Sequence, residues 1–463
     1  MNDEQQMKAG FGSKLGFILA AAGSAVGLGN LWRFPYLAAK YGGGFFLLVY
    51  IILAVTFGFT LMLTEIAIGR RTGKSVLGAY KTVHKKFGFM GWVAAVIPAI
   101  ILPYYCVIGG WVLKYTTMFV TGQGAVTAAE TFNKTGEAST FFTEFISEPV
   151  QPMVFFAIYI AFNAVVILLG VQKGIEKVSK ILMPVLVVLI VGIAIYTLTI
   201  PGALDGAVYY LLPNFEDFTA EKLFKTIAAA ASQLFYSMSI AMGILVTYGS
   251  YMRKEDSLEG SVRHIELFDT GVALIAGLII VPSVFAFSGG DKAALNGGPG
   301  LMFITLPKVF QSMPVGDFIG SAFFILVSLA ALTSSISLME TVVSAIMEKF
   351  RISREKSCVI VIVLSLALGS LSVLGYSLWS DFTIFGMQFL DFFDFISNSL
   401  MMPLLALMTC ILIGWIVKTE YVEQEVMCGE RKFRMRLMYR IMIRFVCPVC
   451  MVMILVTPFV VKI

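Results

Sequence analysis

Gly23-Ser24-Ala25-Val26-Gly27-Leu28-Gly29-Asn30-Leu31-Trp32-Arg33-Phe34-Pro35-Tyr36 is an apolar stretch broken where it should be most regular. It lies in a run of about 14–38, long enough to cross a bilayer, which takes roughly 20 apolar residues. Three glycines, Ser24 and Asn30 occupy the middle of that run. Glycine lets membrane helices pack closely, so a packing seam is one reading. The other is unwound backbone at mid-membrane, tolerated only where it is buried or lines a cavity. A second segment, Ser237-Met238-Ser239-Ile240-Ala241-Met242-Gly243, interrupts another apolar run in the same way.

Working outward, hydrophobic residues make up 58% of the 463 and charged residues only 14%. A soluble chain is usually about 25% charged, so a soluble enzyme is excluded and an all-α integral membrane protein is expected. Apolar runs give eleven transmembrane helices, at about 14–38, 46–68, 91–119, 153–171, 181–200, 226–250, 268–288, 317–346, 357–378, 386–416 and 441–460. The interrupted runs are the first and the sixth. Five apart, they cross in opposite directions, the pattern of a 5+5 inverted-repeat core with broken helices 1 and 6 plus one extra span. The expected organisation is a segment 1–13, repeats over 14–200 and 226–416, and a last span at 441–460. The first run is too long and glycine-rich for a cleaved signal peptide.

Twenty-four lysines and arginines fall in one set of connections and seven in the other. The richer set faces the cytoplasm, which puts the N-terminus inside a plasma membrane and, with an odd count, the C-terminus outside. The net charge of +5 therefore reflects orientation, and no nucleic-acid partner is expected. The six cysteines sit in or beside apolar runs, where small soft side chains are the reading and a disulfide framework is not. Asn133-Lys134-Thr135 fits a glycosylation sequon by spacing alone. Half-helix N-termini offer N–H groups to an anion, and freed carbonyls face a cation. Paired breaks thus suit a ligand carrying a carboxylate together with a monovalent metal ion.

The opening stretch resembles the first span of the neurotransmitter:sodium symporters. So do Gly42-Gly43-Gly44, Glu65-Ile66-Ala67-Ile68-Gly69-Arg70, Ser232-Gln233-Leu234-Phe235-Tyr236-Ser237, Phe303-Ile304-Thr305-Leu306-Pro307 and Leu332-Thr333-Ser334-Ser335. The chain is most similar to the prokaryotic amino-acid branch, which includes transporters of leucine and of multiple hydrophobic amino acids. The resemblance implies two sodium sites, filled by hard oxygen ligands. One would use Gly23, Val26, Ala330, Thr333 and Ser334, although Thr333 and Ser334 alone also read as hydroxyls bonded one turn back. The other would use Ala25, Asn30, Ser237 and Asp269, closed by the substrate's own carboxylate. Many relatives carry asparagine where this chain has Asp269, which also reads as a cap of span 7. The family's chloride site maps to Tyr50, Gln233, Ser237 and Ala273. Ala273 has no hydroxyl and Asp269 supplies a fixed charge, so chloride-independent transport is expected.

The implied pocket is Ala25, Gly29, Ile101, Tyr105, Tyr236, Ser237, Ser239, Met242, Ser334 and Leu338. Relatives that carry monoamines have aspartate at the position of Gly27, so an amino acid is the expected substrate. The apolar wall favours large aliphatic or aromatic side chains. Arg33 and Asp394 would form an outer gate, paired through water, and Lys8 and Glu348 an inner one, to which Lys14, Tyr251 and Glu340 contribute. Lys8 also reads as a solvated terminal charge. Glu65 is expected to support the sixth-span break. A substrate-binding sensor or a channel on the same fold is the alternative. An enzyme is the least expected reading, because His84 and His264, the two histidines, lie in loops without a nucleophile partner. The expected partners are the amino acid and the lipid bilayer, with monomer and dimer both open.

Overall fold

In lipid a helix satisfies every backbone N–H and C=O within itself, which is why the apolar runs fold as they do. The computed structural model describes residues 10–132, 138–213, 215, 219–291, 295, 298–430 and 432–460. Lys8 and the Asn133–Thr135 sequon lie outside them. The first span is a pair, α1 (Lys14–Ala25) and α2 (Gly29–Lys40), bent by 52° at the break. Then come α3 (Gly44–Thr72), α4 (Lys85–Val120), α5 (Val150–Leu168) and α6 (Val171–Thr197). The sixth run is again divided, into α7 (Ala220–Ser237) and α8 (Ile244–Ser250). Further along the chain lie α9 (Leu258–Phe287), α10 (Gly316–Phe350), α11 (Arg354–Gly375), α12 (Phe389–Ile416), a short α13 (Glu420–Cys428) and α14 (Arg436–Thr457), with other short helices in the connections.

Among the described residues nine helices are long and apolar enough to cross a membrane, and the bent α1–α2 pair makes ten. The expected count of eleven rests on taking α7 and α8 together. Neither half qualifies alone: α8 has 7 residues, and α7 carries Glu221, Lys222, Lys225 and Gln233. Two starts also differ from the sequence expectation. The span expected at 181–200 begins at Val171, directly after Gly170 (φ 81°). Its early lysines read as loop, but Lys180 is inside the helix and pairs with Glu176 at 2.6 Å. The span expected at 268–288 begins at Leu258, capped by Ser257. A small hairpin, β1 (Glu130–Phe132) against β2 (Ala138–Thr140), interrupts the long connection after α4.

The half-helix α8 is held against α3 by two glycines. A Cβ on Gly69 would lie 1.9 Å from the Val246 carbonyl oxygen, and one on Gly249 would lie 2.4 Å from that of Ile66. Only bare backbone permits this contact. The lysine- and arginine-rich connections gather at one end of the molecule, called here the basic end. There Arg70, 1% exposed, donates to the Glu425 carboxylate at 2.8 Å and to the Asp256 carbonyl at 2.7 Å. All six cysteines are unpaired; five are buried and Cys428 on α13 is exposed.

Candidate functional site

Both breaks have specific backbone causes. α1 ends because Val26 leaves helical geometry (φ −71°, ψ 105°), its N–H making the last bond to Ala22 at 2.8 Å. Between α7 and α8, Ser239, Ala241 and Gly243 adopt φ of 54°, 59° and 72°. A non-glycine residue in this region costs about 1–3 kcal/mol and persists only when its surroundings hold it. Here Glu65, 2% exposed on α3, accepts the Ala241 N–H at 2.7 Å through Oε1. Its Oε2 is buried without a partner. The two breaks then meet: Ser24 Oγ lies 3.1 Å from Ser239 Oγ, and Ser337 Oγ on α10 donates to Ser24 Oγ at 2.6 Å.

Around this meeting point a small pocket of ≈ 20 Å³ brings together all ten residues expected from the sequence. They are Ala25, Gly29, Ile101, Tyr105, Tyr236, Ser237, Ser239, Met242, Ser334 and Leu338, joined by Ser24, Gly27, Leu28 and Ile244. None of these side chains is charged. At the α2 end the Leu28 N–H points at the Tyr105 hydroxyl, 3.4 Å away. Such a volume holds about one water, so a large side chain enters only if the walls move. Tyr236 is the common wall between this pocket and a vestibule of ≈ 360 Å³ lined by Arg33, Tyr104, Asp394 and Asn398, among others.

Arg33 and Asp394 share that vestibule but form no direct ion pair among the described residues. Arg33 instead donates to Ser232 Oγ at 3.1 Å, its guanidinium 5.8 Å from the centre of the Tyr236 ring. Asp394 accepts from Tyr104 at 3.1 Å and from the Asn398 amide.

The carboxylate of Asp269, fully buried, accepts from Asn30 Nδ2 at 2.8 Å and Ser237 Oγ at 2.7 Å, both on Oδ1. Oδ2 has no partner. A buried carboxylate with a free oxygen is costly unless a cation or proton meets it. Asn30 turns its own oxygen to the Gly27 N–H at 3.0 Å. A second oxygen cluster lies where α1 meets α10. Ser334 Oγ is 3.1 Å from the Val26 carbonyl, 3.2 Å from that of Ala330 and 3.4 Å from that of Gly23. Thr333 Oγ1 is 3.1 Å from Ala330 O. Ser334 Oγ also lies 3.1 Å from the Ser24 carbonyl, and both hydroxyls make the one-turn-back bond, Ser334 to Ala330 and Thr333 to Leu329 at 3.1 Å. Among the described residues no three His, Cys, Asp or Glu side chains form a metal group. One carboxylate and many neutral oxygens suit a hard monovalent cation. At the mapped chloride position Gln233 Oε1 is buried without a partner among the described residues, and Tyr50 and Ala273 are fully buried.

At the basic end Glu348 forms no ion pair among the described residues. Its Oε2 accepts the Ser75 N–H at 2.6 Å, where the helix Val76–Val83 begins. Its expected partner, Lys8, is outside the described residues. The closure found there is Tyr251 donating to Glu340 Oε1 at 2.8 Å, with Arg354 paired to the same carboxylate. Sequence reasoning named Tyr251 and Glu340 but read Arg354 only as an orientation charge. Ser24, the hinge of the two breaks, was in the opening stretch yet given no role. Its signal was a hydroxyl beside Gly23 in an apolar run.

The sequence profile described as the sodium:neurotransmitter symporter family matches residues 8–144 and 140–462. An uncharacterised sodium-dependent transporter of Bacillus subtilis (strain 168) is 34% identical, covering 88% of each chain. Another, from Haemophilus influenzae, is 32% identical over 91% of this chain and 92% of its own. Sodium- and chloride-dependent GABA transporter 2 of Bos taurus is 27% identical over 82% of this chain and 69% of its own. Among solved structures, MhsT in complex with L-phenylalanine matches with a TM-score of 0.84 at 36% identity, covering 97% of this chain and 99% of that one.

Proposed function

The chain belongs to the sodium:neurotransmitter symporter family, and from that premise we propose that it imports large hydrophobic L-amino acids with sodium, by alternating access and without chloride. It is a sodium-dependent, multi-pass membrane transporter and not an enzyme. What carries the finer reading is the uncharged pocket at two helix breaks, flanked by the buried, half-unpaired Asp269 carboxylate.

In this reading the substrate carboxylate meets the Tyr105 hydroxyl and the N–H groups opening α2, and its amino group meets carbonyls freed near Ala25, Tyr236 and Ser237. One sodium ion is held by Ala25, Asn30, Ser237 and Asp269 and by the substrate's carboxylate; a second by Gly23, Val26, Ala330, Thr333 and Ser334. The shared carboxylate makes ion and substrate bind better together, in both directions. Met242, Ile101 and Leu338 receive the side chain, and methionine adapts to several shapes. A solved relative bound to L-phenylalanine supports that class. Ala273, which offers no hydroxyl, and the Asp269 charge support chloride independence. Tyr236, Arg33 and Asp394 close one side, and Tyr251, Glu340 and Arg354 the other. The basic end faces the cytoplasm, in keeping with its lysines and arginines, and residues 14–200 and 226–416 form the two repeats.

The test is binding of labelled phenylalanine to purified protein in sodium or potassium, with unlabelled amino acids competing. Sodium-dependent binding displaced by leucine and tryptophan, but not by lysine or glutamate, supports the assignment. Equal displacement by lysine or glutamate contradicts it.

A further inference from the structure

Glu176 is buried (4% exposed) at the start of α6, and its carboxylate is engaged by the segment that opens α1 and by Lys180 of α6 itself. Oε2 accepts the Gly12 N–H at 2.7 Å, and Oε1 accepts the Ser13 hydroxyl at 2.8 Å and Lys180 Nζ at 2.6 Å. Ser13 in turn caps α1 by accepting the Gly16 N–H at 3.0 Å. The approach depends on a missing side chain, since a Cβ on Gly16 would fall 2.2 Å from Glu176 Oε1. A carboxylate at a helix N-terminus gains from both the free N–H groups and the helix dipole, and the bonds to a charged acceptor are the strong kind. On its other side the same segment is fastened to the end of α8: Phe11 N–H donates to the Tyr251 carbonyl at 3.0 Å, and the Phe11 ring, 3% exposed, packs edge-on against Tyr248 and Tyr251.

We infer that Glu176 is a positioning residue of the transport cycle: it latches the N-terminus of α1 to α6 while the basic end is closed, and its release accompanies opening toward that end. The inference rests on the alternating-access reading above. It adds its own bonds to the Tyr251–Glu340–Arg354 closure, to which the same segment is joined through Phe11 and Tyr251. The α1 break gives the half-helix a joint on which to swing, and any motion of α1 away from α6 breaks the Gly12 and Ser13 bonds together.

The experiment places a reporter cysteine, S344C, on the buried basic-end half of α10 in a C428S background, where the remaining cysteines are buried. A membrane-impermeant maleimide is applied from the basic end. E176A should raise the labelling rate at least fivefold and E176Q by less, because glutamine keeps an acceptor. G16A, which pushes the carboxylate away, should act like E176A. Rates for E176Q and G16A within twofold of the parent, at unchanged thermal stability, overturn the latch, and they do so even if E176A fails to fold. A labelling rise that only tracks a fall in melting temperature also overturns it. Labelling needs no amino acid, so a wrong substrate class leaves this result standing, whereas loss of amino-acid binding with normal labelling counts against the substrate reading alone.

Discussion

Gly27 limits what the central pocket can accept. A Cβ there would lie 2.7 Å from Ser334 Oγ and 3.0 Å from the Tyr105 hydroxyl, the group assigned to the substrate carboxylate. G27A is therefore expected to raise the dissociation constant for phenylalanine at least tenfold, read by equilibrium binding, with little change in melting temperature; unchanged affinity would contradict the assignment. Asp269 sets the ion side of the same site. D269N keeps the shape and removes the charge, so the sodium concentration for half-maximal binding should rise at least tenfold. Replacing chloride by gluconate should leave uptake by the parent unchanged, and a several-fold drop sinks the chloride-independent reading. These roles were legible in the sequence through the resemblance to the neurotransmitter:sodium symporters; Asp269 also stood out alone, because an acid in or beside a membrane span is rare and expensive. The partner of Arg33 was not, since a guanidinium reaches several neighbours and only packing decides that Ser232 takes the direct bond.

At the level of elements, the break between α7 and α8 depends on α3. Glu65 gives the Ala241 N–H its acceptor, and an orphaned buried donor costs about 1–3 kcal/mol. E65A should lower the melting temperature clearly and E65Q less, because glutamine retains an acceptor oxygen; equal effects would contradict this role. A second element, α13, is tied to α14 through Glu423. Burial alone would push its carboxyl up, but hydrogen bonds from Arg440 at 2.6 Å and Arg436 at 2.6 Å outweigh it and leave it below the ordinary carboxylate range. A carboxyl depressed in the fold contributes stability that is present above its unfolded pKa, about 4.3, and is lost as pH falls below it. Thermal unfolding between pH 6 and pH 3.5 should show a loss that E423Q largely abolishes. The breaks themselves were readable from glycine and serine placement. The start of α6 was not, because Lys173, Lys177 and Lys180 look like loop until Glu176 is seen to pair with Lys180.

Across the whole molecule, the inverted arrangement of two broken spans followed from their five-span offset. What sequence spacing did not convey was that the breaks touch through Ser24 and Ser239, that Tyr236 divides a narrow pocket from a wide vestibule, or that one Glu348 oxygen accepts the Ser75 N–H at a helix N-terminus. Those depend on long-range packing, which no local pattern encodes. Ion and amino acid are proposed to move together through this one pocket. This coupling is tested by reconstituting the full chain in liposomes, imposing an inward sodium gradient and following labelled phenylalanine. Accumulation above the external concentration is expected, and it should collapse when potassium replaces sodium; tight sodium-dependent binding with no accumulation would rule out coupled transport and mark the protein as a sensor.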